Sequence, residues 1–230
     1  MNPALKIFLY ILVWGGCCQC NKQEQSIKIS DDKFLSSLIN QGIDKNGDGI
    51  ISPAEAEVIT TLNLAGDSIS DMKGIEIFVN LSKLDCASNQ LTSLDLSENP
   101  ALKELNCNCN QLTSLIVSNN TSLRILRCSN NPLSGLDVSD NTALEYLYCE
   151  NNQLIALDVS KNMALKTIYC GSNRLTTLNV SKNAGLHKLN IMAMSSLFKV
   201  CVWKIPFPST NVEVNTSGSP NVYYSIDCRK

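Results

Sequence analysis

The sequence predicts a repeat solenoid, mainly β with short segments, preceded by a small helical unit. Three observations lead there. Leu84, Leu105, Leu126, Leu147, Ile168 and Leu189 recur every 21 residues, and Cys86, Cys107, Cys128, Cys149 and Cys170 follow in step. A fixed period of this size marks stacked coils, each unable to bury its apolar face alone. Two columns of Asn keep the same period: Asn89, Asn110, Asn131, Asn152 and Asn173 form one, and Asn99, Asn120, Asn141, Asn162 and Asn183 the other. Between them, apolar and polar residues alternate over Leu-x-Cys and Leu-x-Val, the two-residue rhythm of an extended segment.

Composition narrows the function classes. In 230 residues the net charge is −2 and aromatics are 6%, so no basic excess points to nucleic acid. Eleven cysteines suggest a disulfide scaffold, but five of them share one repeat position and three crowd the N-terminus.

Residues 1–17 read as an export signal. Lys6 precedes the apolar run from Ile7 to Trp14, and Gly15-Gly16-Cys17 supplies a small-residue site. The run is too short to span a bilayer as a mature helix. Gly15-Gly16-Cys17-Cys18 resembles the lipobox of bacterial lipoproteins, although Trp14 departs from the smaller aliphatic residue usual there. The resemblance implies an acylated Cys17, with Cys18 as the alternative, and a plain secretory signal cut nearby as the other reading. Asn21 to Ser26 are polar and unpatterned, so residues 18–29 read as a short polar tether.

Residues 30–60 carry the helical unit. Phe34, Leu35, Leu38 and Ile39 share one helical face after a start at Ser30 or Asp31, and Ala54 to Thr60 is expected as a short exit helix. Between them, Asp44-Lys45-Asn46-Gly47-Asp48-Gly49-Ile50-Ile51-Ser52-Pro53-Ala54-Glu55 matches the twelve-residue calcium loop of an EF-hand. Asp44, Asn46 and Asp48 would offer side-chain oxygens, Ile50 its carbonyl, Ser52 a water-mediated contact and Glu55 two oxygens, with Gly49 at the sharp turn. Hard oxygen donors in this number suit Ca2+. Ser52 to Glu55 is also a capping box with Pro53 at the first helical position, and the two readings are compatible. One loop, without the paired loop and Met-rich groove of a sensor, fits a structural ion that pins the helices as an N-terminal cap.

The array itself is placed at residues 61–191. Leu102-Lys103-Glu104-Leu105-Asn106-Cys107-Asn108-Cys109-Asn110-Gln111-Leu112 resembles the LxxLxLxxNxL signature of leucine-rich repeats, with Cys at the third apolar position. The stretch from Leu62 through Ile69, Met72, Ile75 and Phe78 is similar to a degenerate first turn of internalin-type repeats. Leu115-Ile116-Val117-Ser118-Asn119-Asn120 repeats the shape of the first half, so each period divides into about 11 plus 10 residues. About six such coils should carry extended segments on both faces and no long convex helix.

The columns have bland and sharp readings. Inward Asn amides at the corners should satisfy backbone groups of their own and the next coil. Successive coils would stack the Cys column at about 4.8 Å with parallel side chains, poorly oriented for disulfides, so these thiols are expected as buried packing. Cys109 takes the place of Ser88, Asn130, Asn151 and Ser172 and is expected to be exposed. Residues 192–230 read as a cap shielding the last coil, closed by a Cys201–Cys228 disulfide.

Recognition then falls to outward residues that break the repeat. Ile125, Arg127, Tyr146, Tyr148 and Tyr169 should be neighbours on the Cys-strand face, and Tyr and Arg dominate binding hot spots. The same residues could simply pair across strands to stabilise the sheet. The opposite face offers Asp95, Ile116, Asp137, Asp158 and Asn179 among Ser and Thr, a solvated side. His187 stands alone, and no nucleophile or phosphate-binding Gly loop accompanies it, which argues against an enzyme. The expectation is a monomeric, calcium-binding, lipid-anchored protein of the bacterial cell envelope that binds a protein partner. A glycan-binding or adhesive module, or a purely structural spacer, is the alternative.

Overall fold

The computed structural model describes residues 29–228. The signal segment, Cys17 and Cys18, and nearly all of the tether lie outside the described residues. No described helix is long and apolar enough to cross a membrane.

Helix α1 spans Asp32–Asn40 and starts where Asp31 accepts hydrogen bonds from the Lys33 and Phe34 N–H groups. Helix α2 spans only Pro53–Ala56, closed by the reciprocal Ser52–Glu55 capping box. It is shorter than the exit helix expected to reach Thr60. The reason is the proximity of strand β1 (Thr61–Asn63), which requires extended backbone a few residues on.

Phe34, Leu38, Ile43, Ile51 and Ala56 are buried in one continuous core with Leu62 and Leu64. Polar ties reinforce the seat. Asp31 Oδ2 accepts from Ser70 N–H, Ser70 Oγ and Asp71 N–H at 2.8–3.0 Å, and Gln41 donates to Asn63 O. Ser37 donates to Asp67. The unit therefore covers the first coil.

Twelve further strands follow: β2 (Lys83–Asp85), β3 (Ser93–Asp95), β4 (Glu104–Asn106), β5 (Ser114–Ile116), β6 (Ile125–Arg127), β7 (Tyr146–Tyr148), β8 (Thr167–Tyr169), β9 (Thr177–Asn179), β10 (Lys188–Asn190), β11 (Lys199–Cys201), β12 (Glu213–Asn215) and β13 (Tyr223–Ser225). Strands β1-β2-β4-β6-β7-β8-β10-β12 form one eight-stranded parallel sheet. Its register aligns Leu84 with Leu105, Leu126, Leu147, Ile168 and Leu189 in turn. The 21-residue period is thus a β-solenoid with the Leu and Cys columns pointing into the core.

The second face is broken into two sheets, β3-β5 and β13-β11-β9. An extended segment on this face of every coil was expected, but none forms at Gly135-Leu136-Asp137, and the next coil keeps only an Asp158–Asn179 bridge. Gly135 and Ala156 stand where other coils have Ser or Thr, and both Gly and Ala are depleted in strands. Pro132 also replaces Gln111 and Gln153, whose N–H groups bond to Leu91 O and Leu133 O in the coil before.

Residue 191 is not a boundary of the sheets. Strand β12 pairs with β10, β11 with β9, and β13 with β11, so the segment read as a cap continues both faces. The sequence obscures this because the spacing lengthens: Leu189 aligns with Val214, and Leu178 with Val200, outside the 21-residue step. Cys201 and Cys228 are joined in a disulfide with Cα atoms 5.5 Å apart.

Candidate functional site on the eight-stranded sheet

Every strand of the large sheet except β12 buries its middle residue, and around the aromatic cluster the flanking ones stay part-exposed apart from the buried Thr167. That alternation brings Ile125, Arg127, Tyr146, Tyr148 and Tyr169 onto one outward surface. Register places Ile125 beside Tyr146, and Arg127 beside Tyr148, which is beside Tyr169. The Arg127 guanidinium lies 5.3 Å from the Tyr148 ring centroid, within cation–π range. Tyr148 and Tyr169 meet edge to face with centroids 5.2 Å apart. The three side chains form a continuous, amphipathic surface with apolar ring faces and hydrogen-bonding ends.

A charged row borders it. Glu145 accepts from Arg124 on one side and from Lys166 on the other, at 2.5–2.7 Å. These hydrogen bonds, Lys166 first, hold the Glu145 carboxyl below the usual range. Lys83 pairs with Glu104 and Lys188 with Glu213. Periodic reading did not single out this row, although Arg124, Glu145 and Lys166 lie 21 apart with alternating sign.

The calcium-type loop is ordered by its own amides. Asp44 accepts from Gly47 and Gly49, Asn46 from Asp48, and Asp48 from Ile50. Glu55 reaches back from α2: Oε1 accepts from Lys45 N–H at 2.7 Å, and Oε2 from Ser52 N–H and Oγ. Those bonds, from Ser52 before Lys45, bring the Glu55 carboxyl from 4.5 to about 2. Among the described residues no three of His, Cys, Asp or Glu are grouped as a metal cluster. The donor set nevertheless suits a hard cation, because it also draws on the Asn46 amide oxygen and the Ile50 carbonyl, and the carboxylates keep lone pairs beyond their amide bonds. Gly47 and Gly49, at φ +74° and +79°, allow the tight course of the loop. Ser52 serves as the helix cap.

The Cys column is buried and free of disulfides. Burial pushes Cys128 and Cys170 up to about 12 and the other three thiols upward too. Cys109 is exposed, at φ +57°. On the opposite face, Asp95, Asp137, Asp158 and Asn179 are exposed and Ile116 is 41% exposed. A 220 Å³ recess lies in the interruption of that face, lined by Ile116, Asp137 and Asn141 among others.

No family model matches the chain. Over 69 residues, 30% of its length, it is 38% identical to Internalin J of Listeria monocytogenes, and the match spans only 7% of that relative. Among solved structures it is similar to an internalin, inlF, of Listeria monocytogenes, at TM-score 0.50 and 19% identity, covering 84% of this chain and 68% of that one. It is also similar to internalin C2 of the same species, at TM-score 0.54 and 15% identity, covering 85% and 93%. With its 21-residue register, parallel coils and Leu, Cys and Asn columns, the chain has the leucine-rich-repeat fold.

Proposed function

We propose that the protein is a bacterial surface module that binds a protein partner through Ile125, Arg127, Tyr146, Tyr148 and Tyr169. The observation that carries the reading is the linked Arg127, Tyr148 and Tyr169 contact on an otherwise polar sheet. Aromatic and Arg side chains supply large contact area at little entropic cost, and they dominate interface energetics. The similarity to internalins supports an envelope location. In this reading Cys17 carries a lipid anchor, and Ca2+ on Asp44, Asn46, Asp48, Ile50, Ser52 and Glu55 holds the helical unit on the first coil.

The test is capture of envelope proteins by the wild-type protein and by a Tyr148→Ala, Tyr169→Ala variant of equal thermal stability. The reading expects a band lost in the variant. An unchanged set of captured proteins removes this face. The second reading, a glycan-binding or adhesive surface, is favoured by the same Tyr platform, and a glycan array with the same pair of proteins separates the two.

A further inference from the structure

The smaller sheet β3-β5 has an open side toward the first coil. Strand β3 pairs with β5 alone. On its other side the first coil supplies a 3-10 turn, Ile75–Ile77, where a strand would have continued the sheet. Successive residues of a strand inside a parallel ladder bond to opposite neighbours, so the Leu94 backbone faces β5. Leu96 keeps that phase by donating to Ile116 O. The N–H and C=O of Asp95 and the C=O of Ser93 therefore face the first coil.

A 350 Å³ recess runs along this edge. Met72, Ile75 and Leu94, each 3% exposed, make its floor. Asp71, Glu76, Asp95 and Glu98 stand around it, against the ammonium of Lys73. Asp71 uses one oxygen on the Lys73 N–H, Glu76 one on the Gly74 N–H, and Asp95 one on the Ser97 N–H, which leaves the second oxygen of each for another donor. Among the described residues these carboxylates take part in no ion pair.

An unpaired strand edge is a template for one more strand. Here the edge lies in a recess with an apolar floor and a negative rim. We propose that an extended, basic segment of a partner protein adds to β3 as a strand, with an apolar residue over Met72 and Ile75 and a Lys or Arg on either side of it. The pleat dictates that pattern. Beside inward Leu94 the added residue points to the floor, and its neighbours point outward among the carboxylates. Main-chain bonds to Asp95 and Ser93 hold the segment, and the rim selects its charge, since an acidic segment would add to the negative field already there. The site lies on the sheet opposite the Arg127, Tyr148 and Tyr169 surface and does not depend on it.

The probe is acetyl-Lys-Val-Lys-Val-Lys-amide, added to the full chain with isotope-labelled amides and followed by NMR. The expected result is saturable movement of the Ser93 and Asp95 amide signals, with slower solvent exchange at the Asp95 N–H. Acetyl-Glu-Val-Glu-Val-Glu-amide should bind at least tenfold more weakly, and so should the basic peptide with its backbone nitrogens methylated, which blocks strand pairing. The Asp71→Asn, Glu98→Gln variant changes exposed side chains, so its melting temperature should match wild type while its affinity for the basic peptide falls at least threefold. Equal binding by the acidic peptide or by this variant overturns selection by charge, and with it the inference. Equal binding by the methylated peptide overturns strand addition. Movement confined to the eight-stranded sheet, or no saturable movement at millimolar peptide, overturns the site.

Discussion

Asn131→Ala and Asn141→Ala remove the same side chain from buried corners of neighbouring half-turns, yet they should cost different amounts. Asn131 Oδ1 accepts the Leu112 N–H at 3.0 Å, and its Nδ2 donates to Cys107 O, Cys128 O and Ser129 O. After truncation each of those carbonyls keeps another donor: Asn110 for Cys107, Asn152 for Cys128, and the Cys109 N–H for Ser129. The Leu112 N–H has none. Asn141 instead donates to Val117 O and Asn120 O, which also accept from Asn120 N–H and Leu123 N–H. Its Oδ1 has no partner to lose.

Cavity terms are similar, since both residues are at least 95% buried. The difference is then one orphaned amide, about 1–3 kcal/mol. Asn131→Ala should therefore exceed Asn141→Ala by roughly that amount in urea unfolding. Hydrogen exchange at the Leu112 amide locates the loss, because solenoids open regionally. Equal destabilisation, with Leu112 protection unchanged in Asn131→Ala, refutes the reasoning.

Three more expectations follow from the same geometry. Cys109 sits at φ +57°, where Asn is tolerated better than Cys, so Cys109→Asn should stabilise by about 0.5–1 kcal/mol in the same assay, and in the native protein Cys109 should be alkylated while Cys86, Cys107, Cys128, Cys149 and Cys170 are spared until unfolding, by peptide mass mapping. If the loop binds calcium with an extracellular-type affinity near 10⁻⁴ to 10⁻³ M, 10 mM calcium should stabilise the wild-type protein by about 1.4–2.7 kcal/mol and the Asp44→Asn variant much less, read as melting temperature. Burial raises the Asp31 carboxyl, but bonds from Phe34, Ser70 and Asp71 outweigh it and bring it from 3.8 to about 2, so the stability it adds over Asp31→Asn is full above the unfolded pKa and fades as pH falls through about 4 to 2.

Much of this fold was legible because a solenoid writes its contacts at one period. The Leu and Cys columns, the two Asn corners and the Tyr and Arg neighbours all follow from counting by 21, since register and period are the same quantity in a stacked coil. The direction of the Asn bonds was not. Asn131 reaches Leu112 and Cys107 in the preceding coil, not the next one, because the handedness of the corner decides and no column reveals it. The last coils were hidden for a different reason: Val200 and Val214 stand in the Leu register after steps of 22 and 25 residues.

The Arg127, Tyr148 and Tyr169 surface is the proposed place where a partner protein docks. Photo-crosslinking in intact cells tests it most directly, with a photoreactive amino acid placed at Tyr146 on the strand face or at Ile155 on the opposite one. Both positions leave the Arg127, Tyr148 and Tyr169 contacts in place. Ile155 is 69% exposed, so its side chain can reach a partner if one sits there. Docking on the strand face gives a discrete crosslinked product from position 146 and none from position 155. The same product from 155 alone, or equally from both, would contradict it.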